Sequence, residues 1–117
     1  HVHELYVTVG GKWTHANLTG RAEASPAVGS ALSGYEWAAG NSKQVAYIDS
    51  VGDVQELYVI PGAQWSQENR SANAGAEQAA IGPALSGFQA ANSAIVLYLD
   101  STSLGHWLTM TERTKRS

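Results

Sequence analysis

The sequence predicts an all-β protein built from repeated four-stranded antiparallel units. Three observations carry that expectation. One strand is written twice: Glu4-Leu5-Tyr6-Val7 recurs as Glu56-Leu57-Tyr58-Val59, 52 positions later. The rest of the chain repeats in the same order. Trp13 recurs as Trp65, ANLT from Ala16 aligns with ENRS from Glu68, ALSGY from Ala31 recurs as ALSGF from Ala84, and VAYIDS from Val45 as VLYLDS from Val96. Finally, four short strands at a period of about 40–50 residues are the pattern of a β-propeller blade.

The unit that starts at Ala31 justifies each strand in turn. ALSGYEW is the first run, and the GNSK cluster from Gly40 to Lys43 reads as a turn. QVAYID is the second run, rich in β-branched and aromatic residues. SVGD, Ser50 to Asp53, supplies Gly and Asp for the next turn. VQELYV alternates Val54, Glu56 and Tyr58 with Gln55, Leu57 and Val59. Both faces are partly apolar, as a sheet packed between two others requires. After the turn at Pro61 to Ala63, QWSQENRS is more polar and suits an outer edge strand. A Gly/Ala-rich connection from Ala72 to Pro83 leads onward. Its window Asn73–Ile81 has the alanine for a helical turn but is read as loop, so no helix is expected.

The chain is read as one domain of two repeats, about 1–52 and 53–105, with a degenerate third-repeat strand over 106–117. It starts at the third strand of a unit and reaches a second strand by Asp100. The N-terminal strands are therefore candidates to complete the unit left open at the far end. GHWLTM from Gly105 competes with them: Leu108 stands where Leu57 stands, and Trp107 replaces the Glu. Two blades cannot close a ring, because a propeller takes four to eight. Head-to-tail assembly of several chains is the expected remedy, with a trimer favoured. A two-sheet β-sandwich is the alternative architecture.

Composition excludes several classes. Charged residues are 15% of the chain, the formal net charge is −3, and no basic stripe is present to meet nucleic-acid phosphates. The basic cluster of ERTKRS, Glu112 to Ser117, reads as a solvated terminus. There is no cysteine, hence no disulfide framework and no thiolate zinc site. No apolar run reaches membrane-span length. The chain opens at His1 rather than Met and reads as processed or excised.

Val45-Ala46-Tyr47, the turn at Gly52, Val54-Gln55-Glu56 and Trp65 form an ordered series. Val96-Leu97-Tyr98, Val2-His3-Glu4 and Trp13 repeat it. This series resembles the fucose-binding β-propeller lectins of fungi and bacteria, some of which are two-blade chains assembled into six-bladed rings. In that family an Arg and a Glu hold sugar hydroxyls, aromatic residues stack on the ring, and the sites lie between blades. The resemblance carries over to Glu4, Glu56, Trp13 and Trp65. The Arg does not carry over, since Val45 and Val96 hold its place. The resemblance therefore implies glycans as partners, fucose or another monosaccharide, without fixing the sugar.

The chemistry fits. A sugar offers an apolar C–H face to an aromatic ring and hydroxyl donors to a carboxylate, whose charge-assisted bonds are roughly twice as strong as neutral ones. Repetition around a ring adds avidity. Tyr47 and Tyr98 join the candidate set, although their apolar strands suit a core position equally well. The expected function is non-enzymatic carbohydrate binding without cofactor or metal. The alternative is a structural or protein-interaction propeller. Convergence of Glu56 and Trp65 on one cleft separates the two. An enzyme would need paired carboxylates at one cleft.

Other motifs have plainer readings. Asp49 and Asp100 stand at strand ends as turn caps. Ser33 and Ser86 lie in LSG steps without the strand-to-helix context of a hydrolase elbow. His1, His3 and His15 make a weak metal candidate. Trp37 lacks a repeat partner, with Ala90 near its counterpart. Asn17-Leu18-Thr19 and Asn69-Arg70-Ser71 are equivalent glycosylation sequons, and repeat ancestry explains their coincidence.

Overall fold

The repeat becomes three antiparallel sheets packed face to face in chain order. The structure, a computed structural model, describes residues 1–82, 84–100 and 104–111, with Met110 and Thr111 by backbone alone. Strands β1 (His3–Tyr6) and β2 (Thr14–Asn17) form a two-stranded sheet. Then β3 (Leu32–Trp37), β4 (Ser42–Ile48), β5 (Val54–Val59) and β6 (Ser66–Asn69) form a four-stranded sheet in that order. Finally β7 (Leu85–Ala90), β8 (Ser93–Leu99) and β9 (Gly105–Thr111) form a three-stranded sheet. The all-β expectation holds, and among the described residues no sheet closes on itself.

The registers repeat with the sequence. Leu32 faces Tyr47 as Leu85 faces Tyr98, and Val45 faces Leu57 as Val96 faces Leu108. The competition for the third-strand place is thereby decided. Strand β9, the degenerate copy, takes it beside β8. The N-terminal strands do not complete that sheet, and β1 and β2 pair with each other. One complete four-strand unit is present, flanked by a pair and a triplet. The tail Glu112 to Ser117 lies outside the described residues.

The period-2 alternation of β5 places a core on each side. Val54, Ala46 and Ile48 pack against Val96, Tyr98 and Leu108 of the last sheet. Tyr47 and Leu57 point the other way, onto Val2, Ala16 and Leu18. The middle sheet is thus sandwiched, which is why its third strand is apolar on both faces.

Two short helices correct the expectation that none is needed: α1 (Leu18–Ala22) and α2 (Arg70–Ala74). The sequon-like triplets cause them. Asn17 and Asn69 are N-caps, their side-chain oxygens accepting from the N–H of Gly20 and Ala72 at 3.0 and 2.9 Å. Thr19 and Ser71, both buried, accept from the N–H of Val2 and Val54 at 2.6 and 2.8 Å. Each triplet therefore ends the outer strand, starts a helix and pins the start of the neighbouring strand. The polar fourth run is strand only over Ser66–Asn69 before the helix begins. Beyond Ala74, the window read as loop carries no further helix.

The GNSK turn is also shorter than expected. A 3-10 turn spans Ala38–Gly40, Asn41 is left-handed (φ 52°), and Ser42 already lies in β4. Gly40 is required here, since a Cβ would meet the buried Trp37 ring at 2.4 Å. Trp37 also holds the next sheet, its indole N–H donating to the Asn92 carbonyl at 3.1 Å.

Candidate functional site

A cleft of about 340 Å³ opens between the two-stranded and four-stranded sheets. Its walls carry Glu4 and Tyr6 from β1, Glu36 from β3, Lys43 from β4, Arg21 from α1 and Trp65 from the turn before β6. Alternation puts them there: Glu4 and Tyr6 share the inward face of β1 with Val2, while Glu36 and Lys43 are cross-strand partners on the facing sheet. The Lys43 ammonium sits 3.0 Å from a Glu4 carboxylate oxygen and 5.6 Å from the centre of the Trp65 ring. Cation, carboxylate and aromatic face thus meet at one point.

Glu56 and Trp65 do not converge, which is the outcome the structural or protein-interaction reading expected of this pair. They point to opposite faces of the middle sheet, Glu56 into the cleft toward the last sheet and Trp65 into the cleft toward β1. The pairing that does form is Glu4 with Trp65. A glutamate from one repeat meets the tryptophan of the next, a grouping invisible within either copy. Trp13, at the equivalent place in the first copy, is 72% exposed on the outer side of the β1–β2 pair.

The second cleft, about 170 Å³, holds Glu56 in a different state. Its carboxylate is buried, accepts from the Tyr35 hydroxyl and pairs with the Arg70 Nε at 2.8 Å. Arg70 in turn lies over the Tyr58 ring at 5.5 Å. Burial, with Glu56's charge and hydrogen bond adding to it, pushes the Tyr35 phenol well above the usual range. Glu56 is thus paired with an Arg from α2, while the positions where the resemblance expected an Arg hold Val45 and Val96.

Tyr47 and Tyr98 are posts of the two cores. Both are buried and donate to backbone carbonyls of the connecting segments, Tyr47 to Ser25 at 2.5 Å and Tyr98 to Glu77 at 2.7 Å. Burial, then the neighbouring Asp49 charge, raises Tyr47 to about 12. Neither lines either of these two clefts. Another hollow, about 700 Å³, lies along the last sheet and is lined by Leu97, Tyr98, Leu99 and Trp107, an open apolar surface.

The remaining motifs find structural roles. Asp49 caps its turn by accepting from the N–H of Val51 and Asp53, both at 3.0 Å, and Asp100 likewise accepts from Leu104 at 3.0 Å. Ser33 accepts from the Gly87 N–H at 2.9 Å across two sheets. His3 and His15 stack with their nitrogens 2.6 Å apart, beside His1. Among the described residues no group of three such side chains is placed to hold a metal.

Sequence reasoning missed Arg21, Glu36, Lys43, Tyr35 and Arg70. A signal existed for the charged ones: each charge occurs in one repeat only, Lys43 against Ala94, Glu36 against Gln89, Arg70 against Leu18 and Arg21 against Asn73. No family model matches the chain, no curated protein matches it, and no solved structure does.

Proposed function

We propose that the chain is a carbohydrate-binding lectin whose sheets are successive blades of a β-propeller, closed into a ring by several copies. Binding is non-catalytic and uses the cleft between β1 and β4. One observation carries the reading: Glu4, Lys43 and Trp65, from three separate strands or turns, meet in a solvent-open cleft of monosaccharide size. Trp65 offers the stacking face, Glu4 and Glu36 accept hydroxyl donors, and Arg21 donates. Repetition of the cleft around a ring gives multivalency.

The test is a glycan array followed by monosaccharide titrations of Trp65→Ala and Glu4→Gln. Each variant is expected to lose about tenfold or more in affinity, a change of about 1.4 kcal/mol. A silent array with titrations unchanged in both variants would sink the reading. The second cleft favours a structural or protein-interaction role for its own residues. There Glu56 is buried and engaged by Tyr35 and Arg70, so it ties β5 to β3 and α2 within its own unit.

A further inference from the structure

Lys43 occupies the very groups that a sugar would use. Its ammonium holds the Glu4 carboxylate at 3.0 Å and lies over the Trp65 ring. The device belongs to this cleft alone. At the equivalent cross-strand positions of the last sheet, Gln89 and Ala94 replace Glu36 and Lys43 together. A lysine and its facing glutamate are thus present where the cleft is open, and both are absent where Glu56 is locked by Arg70.

A carboxylate beside an aromatic face is a receptor for an ammonium group. The Lys43 side chain is 57% exposed and that of Glu4 22%, so the pair that fills this receptor is wet and weak. It is strong enough to occupy the site and weak enough to be displaced. A neutral sugar stacking on Trp65 would break this pair and leave Glu4 with hydroxyl donors only. A sugar with its own ammonium would replace the ion pair and the cation–aromatic contact, and add its C–H face to the Trp65 ring. Resting on the lectin reading, we propose that the cleft recognises an amino sugar carrying a free, protonated amine, and that Lys43 is a tethered competitor for the same place. Lys43 then sets a threshold: the apparent affinity is the intrinsic affinity scaled by the fraction of molecules in which Lys43 has swung away.

The experiment titrates glucosamine, N-acetylglucosamine and glucose into the wild type, Lys43→Ala, Lys43→Gln and Trp65→Ala, following tryptophan fluorescence and heat. Circular dichroism checks the fold of each variant. Glucosamine is expected to bind about tenfold more tightly than the two uncharged sugars, and less tightly as salt is added. Both Lys43 variants should tighten glucosamine by about twofold to sixfold, and Trp65→Ala should abolish the preference. Weaker glucosamine binding in the Lys43 variants, or equal binding of N-acetylglucosamine, overturns the proposal. If neutral sugars bind through Trp65 while glucosamine gains nothing, this inference fails and the lectin reading stands. If none of the three sugars binds any form at millimolar concentration, both fall.

Discussion

Glu56 and Glu4 are the same residue in two repeats, and their surroundings separate them. Glu56 is buried with Arg70 and Tyr35. Removing one partner of a buried ion pair strands the other's charge, so Arg70→Ala is expected to destabilise the fold by about 3 kcal/mol. Lys43→Ala at the exposed Glu4 pair should cost under about 1 kcal/mol. Urea unfolding of both variants checks the contrast, and equal costs would contradict it. Tyr47 gives a pH test of the same cores. Its folded pKa, about 12, lies above the ordinary 10.0, chiefly because burial disfavours the phenolate. Tyr35 and Tyr98 shift in the same direction. A raised folded pKa means the unfolded chain loses its proton first. Stability from Tyr47 is therefore complete below pH 10 and is lost as pH rises toward 12. Urea midpoints taken across that window should fall, and Tyr47→Phe should fall less steeply. A flat profile in the wild type would show that the phenol is not buried in the folded protein.

At the scale of elements, the LSG repeats show how one motif acquires different tolerance. Gly87 of β7 lies under the Tyr35 ring, where a Cβ would meet ring carbons at 2.5 Å. Gly34, its counterpart in β3, has only the Gln44 carbonyl oxygen at 3.9 Å. Gly87→Ala should therefore push the sheets apart and cost about 1–3 kcal/mol, while Gly34→Ala should be neutral or slightly stabilising. Thermal melts of the two variants read this directly. Strands and registers were legible in the sequence because the offsets of 51 to 53 positions align Val45–Leu57 with Val96–Leu108. Turn caps were legible because Asp49 and Asp100 act within their own turns. The helices were not, since Asn69-Arg70-Ser71 looks like a polar edge strand until its cap and anchor bonds are seen. The site was half legible. Glu4 and Trp65 were both identified, but they were grouped by copy, whereas sheet packing pairs a glutamate with the tryptophan of the following repeat.

For the whole molecule, the repeat also says what the two outer faces want. The last sheet exposes Phe88, Leu97, Leu99 and Trp107, and the β1–β2 pair exposes Leu5 and Trp13. Leu97 and Trp107 hold the positions of Ala46 and Glu56, on the face that in the middle sheet is covered by the sheet that follows. Leu5 and Trp13 hold the positions of Leu57 and Trp65, on the face that is covered by the sheet that precedes. In the proposed ring these two unlike faces would meet each other, joining copies head to tail. Light scattering on the proposed ring should give a multiple of 12.4 kDa, with three copies favoured. Trp107→Glu and Leu5→Glu spoil opposite faces, so each alone should leave monomers. Mixed together, the two variants retain one good pair of faces and should form a heterodimer that grows no further. An interface between two identical faces would behave otherwise: one variant would keep its self-association, and mixing would restore nothing. A wild-type particle that stays monomeric at micromolar concentration would refute ring assembly, whatever the mixing experiment gave.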